Sequence, residues 1–135
     1  MGLIARVDRA YRLDGELYLV EFKTRMRSIA YSSDVIELSV QRLVIERSTG
    51  ERVNEIGYVL TQDLLGRHRS VHKVQLLARA DVIAVARRRE AILSGRVVPK
   101  YTHSDGLCRH CSYRVECKPN ERDQTYGSRA VTVEL

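Results

Sequence analysis

Asp14-Gly15 separates two runs of alternating side chains, residues 3–13 and 17–23, and fixes how those runs pair. An Asp-Gly pair between such runs is a strong hairpin signal, because the tight turn needs positive φ that these residues tolerate. With a two-residue loop Leu13 faces Glu16, and all paired positions add to the same sum. Extended along the ladder, that register puts Asp8 opposite Glu21, with Lys23 two residues further on the same face. Opposed Cβ atoms lie about 4.5–5.5 Å apart, so two carboxylates placed there repel unless something positive lies between them. The other face of the hairpin carries Ala5, Val7, Tyr11, Leu13, Tyr18, Val20 and Phe22 and is expected to face the core. An edge hairpin with solvated charges is the plain alternative. A divalent cation between Asp8 and Glu21, with Lys23 beside it, better explains an opposed acid pair in a chain of net charge +6.

Beyond the hairpin, the chain reads as mixed α/β. A helix is expected to begin at Ser33-Asp34, with Glu37 completing a capping box, and to stop near Ser48-Thr49-Gly50. Ile36, Val40, Leu43 and Val44 form its apolar stripe, and Gln41 lies to one side of it. Strands follow at about 55–61 and 71–77, with Gly66 in the loop between them. A second helix runs from about 79 to 94 and ends at Gly95. Its expected buried face is Val82, Val85, Ala86 and Leu93, with Arg87, Arg88 and Arg89 spread over the exposed side.

At 135 residues the chain is long enough for one domain with a sizeable core. Residues 1–97 form the expected core unit, 98–120 a cysteine-rich metal-binding segment, and 121–135 a tail. No run approaches the ~18 apolar residues of a membrane span, and the N-terminus lacks a secretory pattern. A cytoplasmic location is therefore expected. The arginine-rich composition, with a pI near 9.5, suits a polyanionic partner such as DNA.

All three cysteines fall within ten residues, Cys108-x2-Cys111-x5-Cys117. Without secretory signals, such clustered thiolates are more often metal ligands than disulfide partners. Three thiolates fill three of the four positions of a tetrahedral site, and His103 or His110 would complete zinc ligation. His103 is the better placed, since His110 lies inside the short Cys-x2-Cys turn. A segment without metal is the alternative.

Asp8 followed by Glu21-x-Lys23 resembles the active site of the PD-(D/E)XK nuclease superfamily. The stretch from Leu17 to Arg25 is most similar to the RecB-type branch, which includes the CRISPR-associated adaptation exonucleases. The resemblance implies a restriction-endonuclease-like mixed sheet flanked by helices. It also implies Mg²⁺ or Mn²⁺ on Asp8, Glu21 and the backbone carbonyl of Phe22, with Lys23 positioning water or offsetting transition-state charge. Gln41 matches the helical glutamine of that branch, while Ile45 stands where a tyrosine is usual. The cysteine spacing and the adjoining Cys111-Ser-Tyr-Arg resemble its iron–sulfur members, so either an iron–sulfur cluster or Zn²⁺ is expected at Cys108, Cys111 and Cys117. The family's upstream helix, strand, histidine and fourth cysteine have no counterpart here. The resemblance therefore implies a second copy or another chain that supplies the missing sheet edge and the fourth cluster ligand. The implied activity is metal-dependent phosphodiester hydrolysis, exonuclease-like on single-stranded or frayed DNA ends, in DNA processing, repair or CRISPR adaptation. A nuclease-derived module that binds DNA or a partner without cutting is the alternative.

Overall fold

A computed structural model describes residues 2–100, 105–112 and 114–117. Four strands, β1 (Arg9–Leu13), β2 (Glu16–Thr24), β3 (Ile56–Gln62) and β4 (Arg69–Gln75), form one sheet in the order β1-β2-β3-β4. Helix α1 (Ser32–Thr49) joins β2 to β3, and α2 (Arg79–Leu93) follows β4. Two short helices, α3 (Asp105–Arg109) and α4 (Arg114–Cys117), lie in the cysteine-rich segment. The outer strand pairs are antiparallel, while β2 and β3 run parallel, an arrangement that needs a crossover such as the one α1 provides. The fold is thus mixed α/β.

The hairpin register is the expected one. Leu13 pairs with Glu16 and Arg9 with Val20, around Asp14 and Gly15 at φ 51° and 83°. The first strand is shorter than the sequence suggests, because the ladder ends at Arg9 and Asp8 sits in a bend. Residues 3–7 leave the sheet. Val7 packs on the core, and the Arg6 carbonyl accepts a hydrogen bond from Gln41 Nε2 at 2.9 Å.

The core lies on the opposite face of the hairpin from the one expected. Leu19, Leu38, Val53, Val59 and Leu76 form it, with Leu17, Ile45 and Val74 packed around them. Leu17 and Leu19 share a side of β2 with Glu21 and Lys23, so α1 covers the acid-bearing face. Gly57 permits the close approach of β3, since a Cβ there would sit 3.0 Å from Leu76 Cδ2 and 3.2 Å from Leu38 Cδ1. The other face, expected to be core, keeps only Val20 buried and is otherwise largely open. Tyr11, Leu13, Phe22 and Val71 are all exposed on it.

Helix α1 is also rotated relative to the reading from its apolar residues. Its buried side chains are Asp34, Leu38, Ser39, Gln41 and Leu43. Gln41 therefore faces the sheet rather than flanking the stripe, and Ile36, Val40 and Val44 are only half-buried. The start differs too. Tyr31 caps the helix and Asp34 is the acidic residue that reaches back to it, accepting the Tyr31 N–H at 2.8 Å. In α2 only Val82 is buried, with Ile83 and Ala86 half-buried, while Val85 and Leu93 are exposed. Arg87, Arg88 and Arg89 are exposed, as expected. No helix among the described residues is long and apolar enough to cross a membrane.

Candidate metal site

Strand β2 presents Glu21 and Lys23 toward α1 near its C-terminal end, beside the parallel partner β3. Ligand sites in sheets with parallel strands favour such strand ends. Glu21 is 3% exposed, which an ionised carboxylate tolerates only with good partners. It has them. Lys23 Nζ lies 2.7 Å from Glu21 Oε1, and Gln41 Nε2 donates to Oε2 at 3.2 Å.

Asp8 comes to the same place by a different contact from the one expected. It does not sit in the ladder opposite Glu21. Its Oδ2 instead accepts the N–H of Phe22 at 3.1 Å, just past the last pair of β1 and β2. The Arg25 N–H bonds Gln62 of β3, so the odd positions of β2 turn their backbone groups toward β3 and the even ones toward β1. A strand residue's N–H and C=O share a side. The Phe22 carbonyl therefore points toward the β1 side, like the N–H that meets Asp8.

Two carboxylates and a backbone carbonyl are hard oxygen donors suited to Mg²⁺ or Mn²⁺. Gln41 Oε1, buried beside Glu21, has no hydrogen-bond partner within the protein. Both partners of its Nε2 are acceptors, so the amide cannot be turned to satisfy the oxygen without losing them. An unpaired buried carbonyl next to a buried acid fits a site completed by a further polar ligand. The residues present thus fit a divalent cation. Among the described residues no group of three or more His, Cys, Asp and Glu is placed to hold a metal.

Lys23 also pairs with Glu37 of α1, whose Oε2 is 2.9 Å from Nζ. Burial disfavours the ammonium, yet hydrogen bonds and charges from Glu21 and Glu37 outweigh it and raise the Lys23 pKa above the ordinary lysine value. From sequence alone Glu37 has only a capping role. Its spacing, one turn before Gln41 on the same helix, was the signal that it could reach the site. Asp34, another turn earlier, is gripped by both arms of Arg25 at 2.9 Å each. On the far side of Lys23, its β3 neighbour Thr61 bonds His72 Nε2 at 2.9 Å and Ser28 at 3.0 Å. A cleft of about 340 Å³, lined by Arg9, Phe22, Lys23, Thr61 and Arg69 among others, opens beside these residues. The Arg9 guanidinium lies 5.5 Å from the centre of the Phe22 ring.

The cysteine segment is described in part. Cys108 is half-buried and Cys111 exposed, both as free thiols. The N–H of Cys111 bonds the Cys108 carbonyl at 3.2 Å, so the two are joined by a tight turn. Cys117 ends α4, but its side chain, like His103 and residues 118–135, lies outside the described residues. His110 Nδ1 is 2.9 Å from the Gly106 carbonyl.

No family model and no curated protein matches the chain. Among solved structures it is similar to SSO0001, with a TM-score of 0.53 and 16% identity over 83% of this chain. It spans 49% of the length of that structure. At this identity the likeness concerns the fold alone.

Proposed function

We propose that this chain is a metal-dependent deoxyribonuclease of the PD-(D/E)XK superfamily, RecB-type, with a restriction-endonuclease-like core. The observation that carries the reading is the buried Glu21 carboxylate held between Lys23 and Gln41, with Asp8 bonded to the next residue of the same strand. Asp8, Glu21 and the Phe22 carbonyl would hold Mg²⁺ or Mn²⁺. When bound, the cation supplies charge neutralisation at the scissile phosphate and a more acidic attacking water. Lys23, a compact ammonium, sits where it can orient water or offset the charge of the transition state. Gln41 fixes the Glu21 carboxylate and offers a free carbonyl at the site's edge. Arg9 and Arg69 line a cleft on the other face of the sheet, reaching the site only at the strand ends by Lys23 and Thr61, and would hold phosphates of a single-stranded or frayed DNA end away from the acidic pair. Cys108, Cys111 and Cys117 would hold Zn²⁺ or an iron–sulfur cluster with a fourth ligand from His103 or another chain, in a cytoplasmic protein of DNA processing, repair or CRISPR adaptation.

The test is Mn²⁺-dependent cleavage of labelled single-stranded DNA. Lys23→Ala and Asp8→Ala should each lower it by at least roughly 100-fold with unchanged circular dichroism. Full activity in either variant would sink the assignment.

The open sheet face favours a second reading, in which a nuclease-derived module binds DNA or another chain without cutting. Exposed Tyr11, Leu13, Phe22 and Val71 on one face resemble a surface that another chain covers. DNA binding without cleavage, by a protein that runs larger than a monomer in sedimentation, would favour it.

A further inference from the structure

Lys23 bridges two carboxylates that differ in setting. Glu21, 2.7 Å away, has a side chain 4% exposed, whereas that of Glu37, 2.9 Å away, is 48% exposed. The ammonium already lies on Glu21 Oε1, an oxygen a divalent cation would also seek. Two positive centres on one buried carboxylate repel strongly where water screens poorly. A lysine without a second anchor would stay and compete, or swing into water and leave the site.

We propose that Glu37 is a positioning residue that holds Lys23 at the edge of the site when a divalent cation takes Glu21, and so relieves competition for that carboxylate. The inference rests on the metal-site reading above. The chemistry of the side chains suits the role. Lysine carries three donors on a flexible stem and can shift its weight from one acceptor to the other without leaving either's reach. Glu37 points to solvent on a helix fixed elsewhere by buried contacts, so retaining the lysine there requires no rearrangement of the fold. Its neighbour one turn on, Gln41, keeps Glu21 in place during the exchange through the bond to Oε2.

The experiment measures Mn²⁺ affinity by titration calorimetry, without DNA, on wild type, Glu37→Gln, Lys23→Met and the double variant. Glu37→Gln should bind Mn²⁺ about tenfold more weakly than wild type, and Lys23→Met more tightly. In the Lys23→Met background the Glu37→Gln change should alter affinity by no more than about twofold, because a half-exposed charge acting alone is screened. Glu37→Asp should restore most of the loss. Thermal unfolding establishes that each variant is folded. An equal loss in both backgrounds would make Glu37 a ligand or a bare charge and overturn the proposal, as would no loss in either. Failure of wild type and Lys23→Met alike to bind Mn²⁺ would remove the metal site itself, and this role with it.

Discussion

Gln41 shows how much of this site depends on one neutral side chain. Its Nε2 serves two acceptors, Glu21 Oε2 and the Arg6 carbonyl, and so ties strand β2, helix α1 and the segment before β1 together. Gln41→Ala should leave the buried Glu21 Oε2 without this donor and release the Arg6 carbonyl, at a cost of roughly 1–3 kcal/mol, read as a lower urea midpoint with unchanged slope. A midpoint matching wild type would mean that the amide holds nothing. The sequence allowed Asp8, Glu21, Lys23 and Gln41 to be grouped, because hairpin register is set by a short turn and period-2 alternation. It did not disclose that Asp8 is tied to the Phe22 N–H instead of pairing with Glu21, since a strand's last pair depends on what pulls the chain away. Here Val7 enters the core and Arg6 is held by Gln41, contacts made across more than thirty residues.

The N-terminal turn of α1 is fixed by an ion pair rather than by apolar packing. Arg25 grips Asp34 with two hydrogen bonds of 2.9 Å and stacks its guanidinium 4.9 Å from the centre of the Tyr31 ring. Burial alone would push the Asp34 carboxyl up. The Arg25 hydrogen bonds, the Tyr31 N–H and the charges of Arg25 and Lys23 outweigh it and hold the carboxyl below the ordinary carboxylate range. A depressed folded pKa contributes stability above the unfolded value, and that contribution is lost as pH falls through the folded one. Asp34→Asn should therefore cost roughly 2–4 kcal/mol at neutral pH, a deficit that shrinks as the medium is acidified below the ordinary aspartate range. Urea unfolding of both proteins at neutral pH and at about pH 3 checks this, and a deficit independent of pH would contradict it. The same pair explains why α1's orientation was hard to read. Asp34, Leu38, Gln41 and Ile45 recur at helical spacing, but two of the four are polar. Apolar periodicity alone points to Ile36, Val40, Leu43 and Val44, of which only Leu43 is buried.

At the scale of the whole molecule, the asymmetry between the two sheet faces and the excess of positive charge bear on what the chain can bind. The acid-bearing face is closed by α1, while the opposite face meets the cleft that carries Arg9 and Arg69. Composition indicated the charge but not its placement, and alternation in the hairpin could not say which of two faces is covered, since both carry apolar side chains. What settles it is the position of α1 over Leu17 and Leu19, a tertiary fact. With a net charge of +6 and Arg87, Arg88 and Arg89 exposed along α2, phosphate contacts should dominate any affinity for DNA. Binding to a single-stranded oligonucleotide in EDTA, where cleavage is suppressed, should then fall linearly with the logarithm of salt concentration. Each phosphate neutralised contributes about 0.7 to the slope on a single strand. If α2 lies along the bound strand, changing its three arginines to glutamine should reduce the slope by about 2. Arg9→Gln with Arg69→Gln should reduce it by about 1.4 on the same count. A slope changed by the cleft pair but untouched by the α2 triple would place DNA on the open sheet face beside Phe22 and leave α2 a solvated face. The reverse result would separate binding from the acidic site and favour the module that binds without cutting.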